Sequence, residues 1–464
     1  MSASIKSAYR ENLSGLAFRA GVKAADLAIQ VPMLRGFLID RLLERLGRTY
    51  DQCESDPNIL EHVKWFGRHL ETFLRRLLNE RPSAARAILR FLATWATDLR
   101  RRTDRSDVGR VAPCTVVIEP TDRCNLSCPG CYAKSTADGA DLTYEQLCGI
   151  VEQVIEMGVT LFTVSGGEPF LRETTERVLT RLALRHPDRG FLTYTNGTMI
   201  DEDIADRLAA VGNIFPAISV EGFEHQTNRR RGRGVYEQNR RVRQMLSDRG
   251  VMCGFSATMT RENAESICTD EFIELRIAEG DMFGWFFLLQ PIGRAPRADL
   301  MVTADQRALM RETIYRWRRE DRPIFLGDFW NDGHLSGGCI GARLYFHIYA
   351  NGDISPCVFA PIAGENIFDI IAGRSQFKSL DDYVQNSPLF KAYRHEQAGV
   401  TDRNRPCMLI DNPQAFQRIR CTENCRAGKN FPPGYADGEI AETIKQVAQQ
   451  WQEKCTQLPP VIQK

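Results

Sequence analysis

The chain has 464 residues, 43% of them hydrophobic and 26% charged, with a formal net charge of +1. That length holds two or three domains with cores of ordinary size, and overall neutrality speaks against a nucleic-acid-binding protein. Fourteen cysteines would mean disulfides in a small secreted protein. Here they cluster in metal-like groups with no signal peptide ahead of them, so a reducing, cytoplasmic location is expected.

Residues 1–110 read as an α-helical region. Ile59 to Asn79 sets Ile59, Val63, Phe66, Leu70, Phe73, Leu74 and Leu77 at helical spacing, and Ile88 to Trp95 repeats the style. Lys plus Arg outnumber Asp plus Glu 20 to 13 over this region. Leu27 to Leu46 is apolar but broken by Pro32, Arg35, Asp40, Arg41, Glu44 and Arg45, which excludes a membrane span. A basic amphipathic arm of this kind packs on its own domain more often than not. The alternatives are a partner, an acidic substrate, or peripheral contact with the inner face of a membrane.

From Cys114 onward, apolar strand-like runs alternate with helical periodicity. Strands are expected near 115–119, 161–165, 191–195, 215–220, 252–259 and 284–290, with helices near 143–157, 171–185, 202–210, 237–249 and 270–279. Such alternation argues a parallel sheet with helices outside it.

Chemistry gathers at the strand ends. After the first strand comes Cys124-Asn125-Leu126-Ser127-Cys128-Pro129-Gly130-Cys131. Three thiolates at this spacing can hold three irons of a [4Fe–4S] cube and leave the fourth open to an outside ligand; alone, they also suit part of a zinc site. The second strand runs into Gly166-Gly167-Glu168-Pro169, where missing Cβ atoms let the main chain approach a ligand. The third ends at Asn196-Gly197, and the fourth carries Ser219, a donor or acceptor, and is followed by Glu221, an acceptor only.

These four motifs, in this order, resemble the radical S-adenosylmethionine (SAM) superfamily. The resemblance implies a partial (β/α)6 TIM-like barrel with sites at the C-terminal ends of its strands. It implies a catalytic cluster on Cys124, Cys128 and Cys131, oxygen-sensitive, whose open iron is chelated by SAM, and reductive cleavage of SAM to a 5′-deoxyadenosyl radical. SAM contacts are implied for Gly166, Gly167, Glu168, Asn196, Ser219 and Glu221. Gly130 stands where relatives often carry an aromatic residue near the adenine, and Tyr132 is the candidate to replace it. Arg294, past the sixth strand, is a candidate partner for a carboxylate of SAM or substrate. Arg229-Arg230-Arg231-Gly232-Arg233-Gly234 reads as a loop bordering the SAM site with its outer arginines solvated. A low-potential electron donor of flavodoxin or ferredoxin type is the implied partner.

The C-terminal third holds a second cysteine group. Cys339, Gly352 and Cys357 form a C-x12-G-x4-C pattern with an Asn351-Gly352 hairpin signal. It resembles the opening of SPASM and twitch extensions, which carry auxiliary [4Fe–4S] clusters. Cys407, Cys421 and Cys425 complete five candidate ligands. One auxiliary cluster is expected, on Cys339, Cys357 and Cys407 with Cys421 or Cys425 as fourth; a structural zinc on four of the five is the alternative. Cys53, Cys148, Cys253 and Cys268 read as buried small hydrophobes. Asp328, Asp332 and His334, just ahead of the group, are acid/base candidates or members of a loop network.

The expected organisation is a helical region 1–110, a radical SAM barrel 111–300, a cysteine-rich extension 301–430 and a helical tail 431–464. The expected function is radical SAM modification of an unactivated C–H position, in a peptide first and in a lipid or isoprenoid second. A non-catalytic iron–sulfur or zinc protein is the alternative of another class.

Overall fold

A computed structural model describes residues 57–107 and 109–459. The apolar run Leu27 to Leu46 and Cys53 lie outside the described residues.

Nine strands form one open sheet: β1 (Thr115–Ile118), β2 (Leu161–Val164), β3 (Gly190–Thr195), β4 (Ile214–Val220), β5 (Gly254–Met259), β6 (Phe283–Leu288), β7 (Phe325–Asp328), β8 (His347–Ile348) and β9 (Ile354–Ser355), ordered β7-β6-β5-β4-β3-β2-β1-β8-β9. Each neighbour from β1 to β7 pairs parallel. The six expected strands are present, and β7 extends the parallel run beyond them. Every residue of β4 is buried, as a central parallel strand covered on both faces requires. Side chains from β1 to β6 line a common cavity, so the sheet curls around it as a partial barrel.

Helices cross over between strands: α3 (Tyr144–Glu156), α4 (Val178–Arg185), α5 (Glu202–Val211), α6 (Glu224–Arg231), α7 (Val235–Asp248), α8 (Asp270–Ala278) and α9 (Ala304–Arg319). Two further helices, α1 (Pro57–Glu80) and α2 (Pro82–Asp107), precede β1. Helix starts follow capping chemistry. Thr143 and Gln146 form a capping box at α3, as Thr303 and Gln306 do at α9, each satisfying amides that the first turn leaves open. The helix expected over 171–185 begins only at Val178. Glu173, fully buried, accepts from Thr180 Oγ1 at 2.7 Å and from the backbone amides of Leu179 and Thr180, which sets the new start. Helix α6 was not expected; it is polar throughout and has no apolar period to reveal it.

The helical pair α1 and α2 packs into the barrel. Phe73, Leu74, Leu77, Ala84 and Ile88 share one hydrophobic cluster with Leu192, Phe215, Met252, Met282 and Phe283. Polar ties reinforce the contact: Arg76 Nη1 donates to the carbonyls of Asp281 (2.9 Å) and Pro323 (2.7 Å), and Arg102 Nη1 to that of Gly158 at 2.7 Å. The part of the stripe whose side chains are described is thus consumed in the core. Among the described residues no helix is long and apolar enough to cross a membrane.

Three strands past residue 300, β7, β8 and β9, join the same sheet, while Ile362–Ala363 and Arg426–Ala427 pair in a small separate one. Strand β8 pairs parallel with β1, Val117 opposite His347, and antiparallel with β9 through the Asn351–Gly352 turn. Gly352 has φ of +87°, and an added Cβ would meet the Phe368 ring at 2.6 Å, so this turn admits little else.

Candidate active site

A cavity of about 280 Å³ opens at the C-terminal ends of the strands, and Cys124, Cys128 and Cys131 stand in its wall. Their loop follows β1 and is folded by its own backbone: Cys124 N–H donates to Thr136 O (2.9 Å), Thr136 N–H to Asp122 O (3.2 Å) and Asp122 N–H to Ala140 O (2.7 Å). At its far end Arg294 N–H donates to Cys131 O at 2.8 Å. Burial, with the neighbouring Glu168 and cysteine thiols, pushes the Cys124 thiol up to about 11. The Leu126 amide, 3.4 Å from the sulfur, offsets this, and Asn196 Nδ2 stands 3.8 Å from the same sulfur. Hydrogen bonds to sulfur are what a thiolate ligand of a cluster takes.

Among the described residues no three His, Cys, Asp or Glu side chains close on a single metal-ion position. A cube spreads its thiolates over separate irons, and three free thiols along one cavity wall suit that arrangement.

The turn after β2 is seated on the cysteine loop. Gly167 N–H donates to Thr121 O and Glu168 N–H to Arg123 O, both at 2.8 Å. An added Cβ would lie 2.6 Å from Thr121 O at Gly166 and 1.9 Å from Arg123 O at Gly167. The glycines are therefore required by close approach to the loop's backbone, a reason distinct from the expected approach to a ligand. Gly166 has φ of +105°. The Glu168 side chain is fully buried and committed elsewhere, accepting from Phe170 N–H (3.1 Å), Thr195 Oγ1 (2.7 Å) and Asn196 N–H (2.7 Å). It welds the end of β2 to the end of β3. Asn196 in turn donates through Nδ2 to Asn125 Oδ1 at 2.9 Å, joining β3 to the cysteine loop.

Ser219 lies on the cavity wall, its hydroxyl 3.4 Å from that of Ser256. Glu221 sits behind the wall: Arg230 Nη1 donates to it at 2.7 Å, and Arg231 through Nε (2.8 Å) and Nη2 (2.5 Å). The arginine run is thus the end of helix α6, not a loop, and Arg230 and Arg231 are cavity residues clamped on Glu221. Arg229 does face solvent, paired with Glu262 at 3.0 Å. The charged run reads as solvated from sequence because its anionic partner is nine or ten residues back.

Tyr132 also enters the wall, its hydroxyl against Ser165 Oγ and its ring 5.6 Å from that of Phe359. Arg294 is half-buried with Nη1 enclosed and without a hydrogen-bond partner, and it does not line the cavity. Sequence reasoning missed Gln290, 3% exposed in the cavity wall with an unpartnered Oε1. It also missed a chain of rings: Tyr194 to Phe287 (5.6 Å), Phe287 to Phe329 (5.5 Å) and Phe329 to Phe359 (5.5 Å). Of the charged side chains in the lining, Glu168 accepts hydrogen bonds from neutral donors and Arg230 and Arg231 share the carboxylate of Glu221; most of the remaining wall is apolar side chains and neutral polar groups.

Cys339, Cys357 and Cys407 come together beside this cavity. Each thiol lies within electrostatic reach of the others, and fully buried Tyr393 stands among all three. Burial pushes the Cys357 thiol up to about 11, with Cys339 adding to the shift. Cys421 and Cys425 are neighbours of each other, Cys421 exposed. The residues after Cys339 and Cys357, Ile340 and Val358, line the cavity. Asp328, Asp332 and His334 serve the loop network. Asp328 accepts from Asn331 Nδ2 at 2.8 Å, Asp332 from buried Arg318 at 2.6 Å, and His334 meets Asn404 at 3.2 Å.

Residues 118–270 match the model of the radical SAM superfamily. The chain carries a radical SAM domain. The protein is accordingly a radical SAM enzyme, a class that binds a [4Fe–4S] cluster and SAM. Its relatives include the mycofactocin maturase MftC of Mycolicibacterium smegmatis, 28% identical over 363 residues that span 74% of this chain and 86% of MftC. The PqqA peptide cyclase of Granulibacter bethesdensis is 23% identical over 317 residues, 64% of this chain and 80% of the cyclase. Among solved structures, SuiB of Streptococcus suis bound to precursor peptide SuiA superposes with a TM-score of 0.52 at 18% identity, over 64% of this chain and 71% of SuiB. This radical SAM barrel thus shares SuiB's fold.

Proposed function

We propose that this radical SAM enzyme modifies a peptide, abstracting hydrogen from an unactivated C–H position of an uncharged side chain. The observation that carries the reading is the shared wall: Ile340, Tyr345, Val358 and Phe359 of the extension and Tyr132 and Phe287 of the barrel enclose the same cavity as the three cysteines. A side chain entering between barrel and extension meets rings, with Arg230 and Arg231 turned onto Glu221. Relatives include a peptide cyclase, which supports a peptide over a lipid.

Cys124, Cys128 and Cys131 are proposed to hold the catalytic cluster, which when reduced supplies one electron to SAM. Gly166 and Gly167 would offer backbone to the methionine end of SAM and Ser219 its hydroxyl to the ribose, and Arg230 and Arg231 would hold the Glu221 side chain in place behind the wall. Cys339, Cys357 and Cys407 are proposed to hold an auxiliary cluster, with Cys421 or Cys425 as fourth ligand. A flavodoxin- or ferredoxin-type donor would supply the electron, and a cytoplasmic setting would keep the clusters reduced.

The test is anaerobic incubation of reduced enzyme and SAM with the short peptides encoded beside its own reading frame, followed by mass spectrometry. A peptide that changes mass in step with 5′-deoxyadenosine supports the reading. Deoxyadenosine formed without any change in those peptides, and with change in an added lipid extract, overturns it.

A further inference from the structure

The segment Gly428–Asn430 reaches the cysteine loop from more than 300 residues away in sequence. Lys429 Nζ lies 2.6 Å from Glu119 Oε2 and also pairs with Asp122, the two carboxylates that precede Cys124. Glu119 is fully buried and Lys429 largely so. On the other side of Glu119, His347 Nε2 stands 3.1 Å from Oε1, and the His347 ring lies 4.2 Å from that of Tyr349. Asn430 accepts from Tyr349 Oη at 3.0 Å, and its carbonyl accepts from Gly293 N–H at 2.9 Å. Gly293 is followed by Arg294, whose amide holds Cys131 O. The segment therefore grips the cysteine loop at both ends, before Cys124 through Lys429 and at Cys131 through Gly293 and Arg294.

The stretch it grips is the one on which the glycine turn is seated. Gly167 and Glu168 donate to Thr121 and Arg123, and a Cβ on Gly166 would lie 2.9 Å from Glu119 Cβ. A shift of Glu119 to Arg123 moves the loop and the turn together. Burial works against charge on Glu119, yet Lys429 and His347 hold its carboxyl down at about 2. Without the lysine, a fully buried carboxylate faces a second one with no ammonium between them, an arrangement that relaxes by moving the backbone. Lys429 also lies four residues past Cys425, so the extension's cysteine region and the loop's clamp are one short piece of chain.

We propose that Lys429 is a positioning residue for SAM: its pairing with Glu119 and Asp122 fixes the cysteine loop and the glycine turn seated on it, so the C-terminal extension keeps the SAM site in shape. No atom of Lys429 lines the cavity; it acts through the loop.

The test uses the full-length, iron-loaded protein and SAM as the probe. Lys429→Met should keep its iron, because the three cysteines are untouched, and should bind SAM about tenfold more weakly, the size expected when a partner behind a ligand shell is removed. In the same variant without SAM, the Gly167 and Glu168 amides should exchange hydrogen faster while amides of β3 stay as in wild type. Lys429→Arg should restore most of the affinity, and adding Asp122→Asn to Lys429→Met should weaken SAM binding no further. Wild-type SAM affinity with unchanged protection at Gly167 and Glu168 in Lys429→Met overturns the proposal. If that variant does not fold, Glu119→Gln must by itself weaken SAM binding, and unchanged affinity there overturns it equally.

Discussion

The hydroxyl of Tyr345 lies 2.7 Å from Sγ of Cys357, both buried. One residue thus touches the cavity with its ring and the second cysteine group with its oxygen. A hydrogen bond to a thiolate stabilises the more reduced, more negative state of a cluster. Tyr345→Phe should therefore leave iron content unchanged and lower the midpoint potential of the auxiliary group, read by redox titration followed by electron paramagnetic resonance. An unchanged potential would separate Tyr345 from that group.

The two cysteine groups should fail differently. Cys124→Ala should abolish 5′-deoxyadenosine formation, whereas Cys357→Ala should retain some uncoupled cleavage of SAM and lose the modified product. Product analysis and iron content together read this out, and equal unfolding of both variants would remove the division of roles.

Glu168 accepts three donors with no solvent to replace it. Glu168→Gln turns an amide toward at least one of them, and each buried donor left without a partner costs about 1–3 kcal/mol. The variant should unfold at lower temperature and lose SAM cleavage. Calorimetry that shows wild-type stability would contradict the weld between β2 and β3.

His69 on α1 is fully buried against the Phe325 ring, and burial followed by Arg318 lowers its pKa from 6.5 to about 4. A folded-state value below the unfolded one means the unfolded chain binds the proton first, so stability is full above pH 6.5 and falls as the pH drops toward 4. The loss at the bottom of that window is on the order of 3 kcal/mol. Urea unfolding at pH 7 and pH 5 should show a gap that shrinks in His69→Leu.

Much of the barrel could be read from local pattern. The cysteine loop and the glycine turn sit at the ends of apolar runs, and six strands fall within two residues of expectation because parallel core strands are continuous in hydrophobicity. What stayed hidden was non-local or aperiodic. Arg230 and Arg231 end a helix without an apolar face, and their partner Glu221 is visible only once the turn is folded. Lys429 carries no motif at all; only the fold brings it to Glu119. For Asp328 and Asp332 the sequence left acid/base chemistry and a loop network open, and in the folded chain one fastens a turn and the other pairs with buried Arg318. Gln290 had no signal beyond its place after the sixth strand.

Three cysteines on one loop and the glycine turn behind it are proposed to cleave SAM. This is tested most directly by measuring iron and 5′-deoxyadenosine in anaerobically reconstituted protein after dithionite reduction with SAM. Deoxyadenosine is expected together with about eight irons per chain, two cubes' worth. A fully loaded cluster that gives no deoxyadenosine would contradict it.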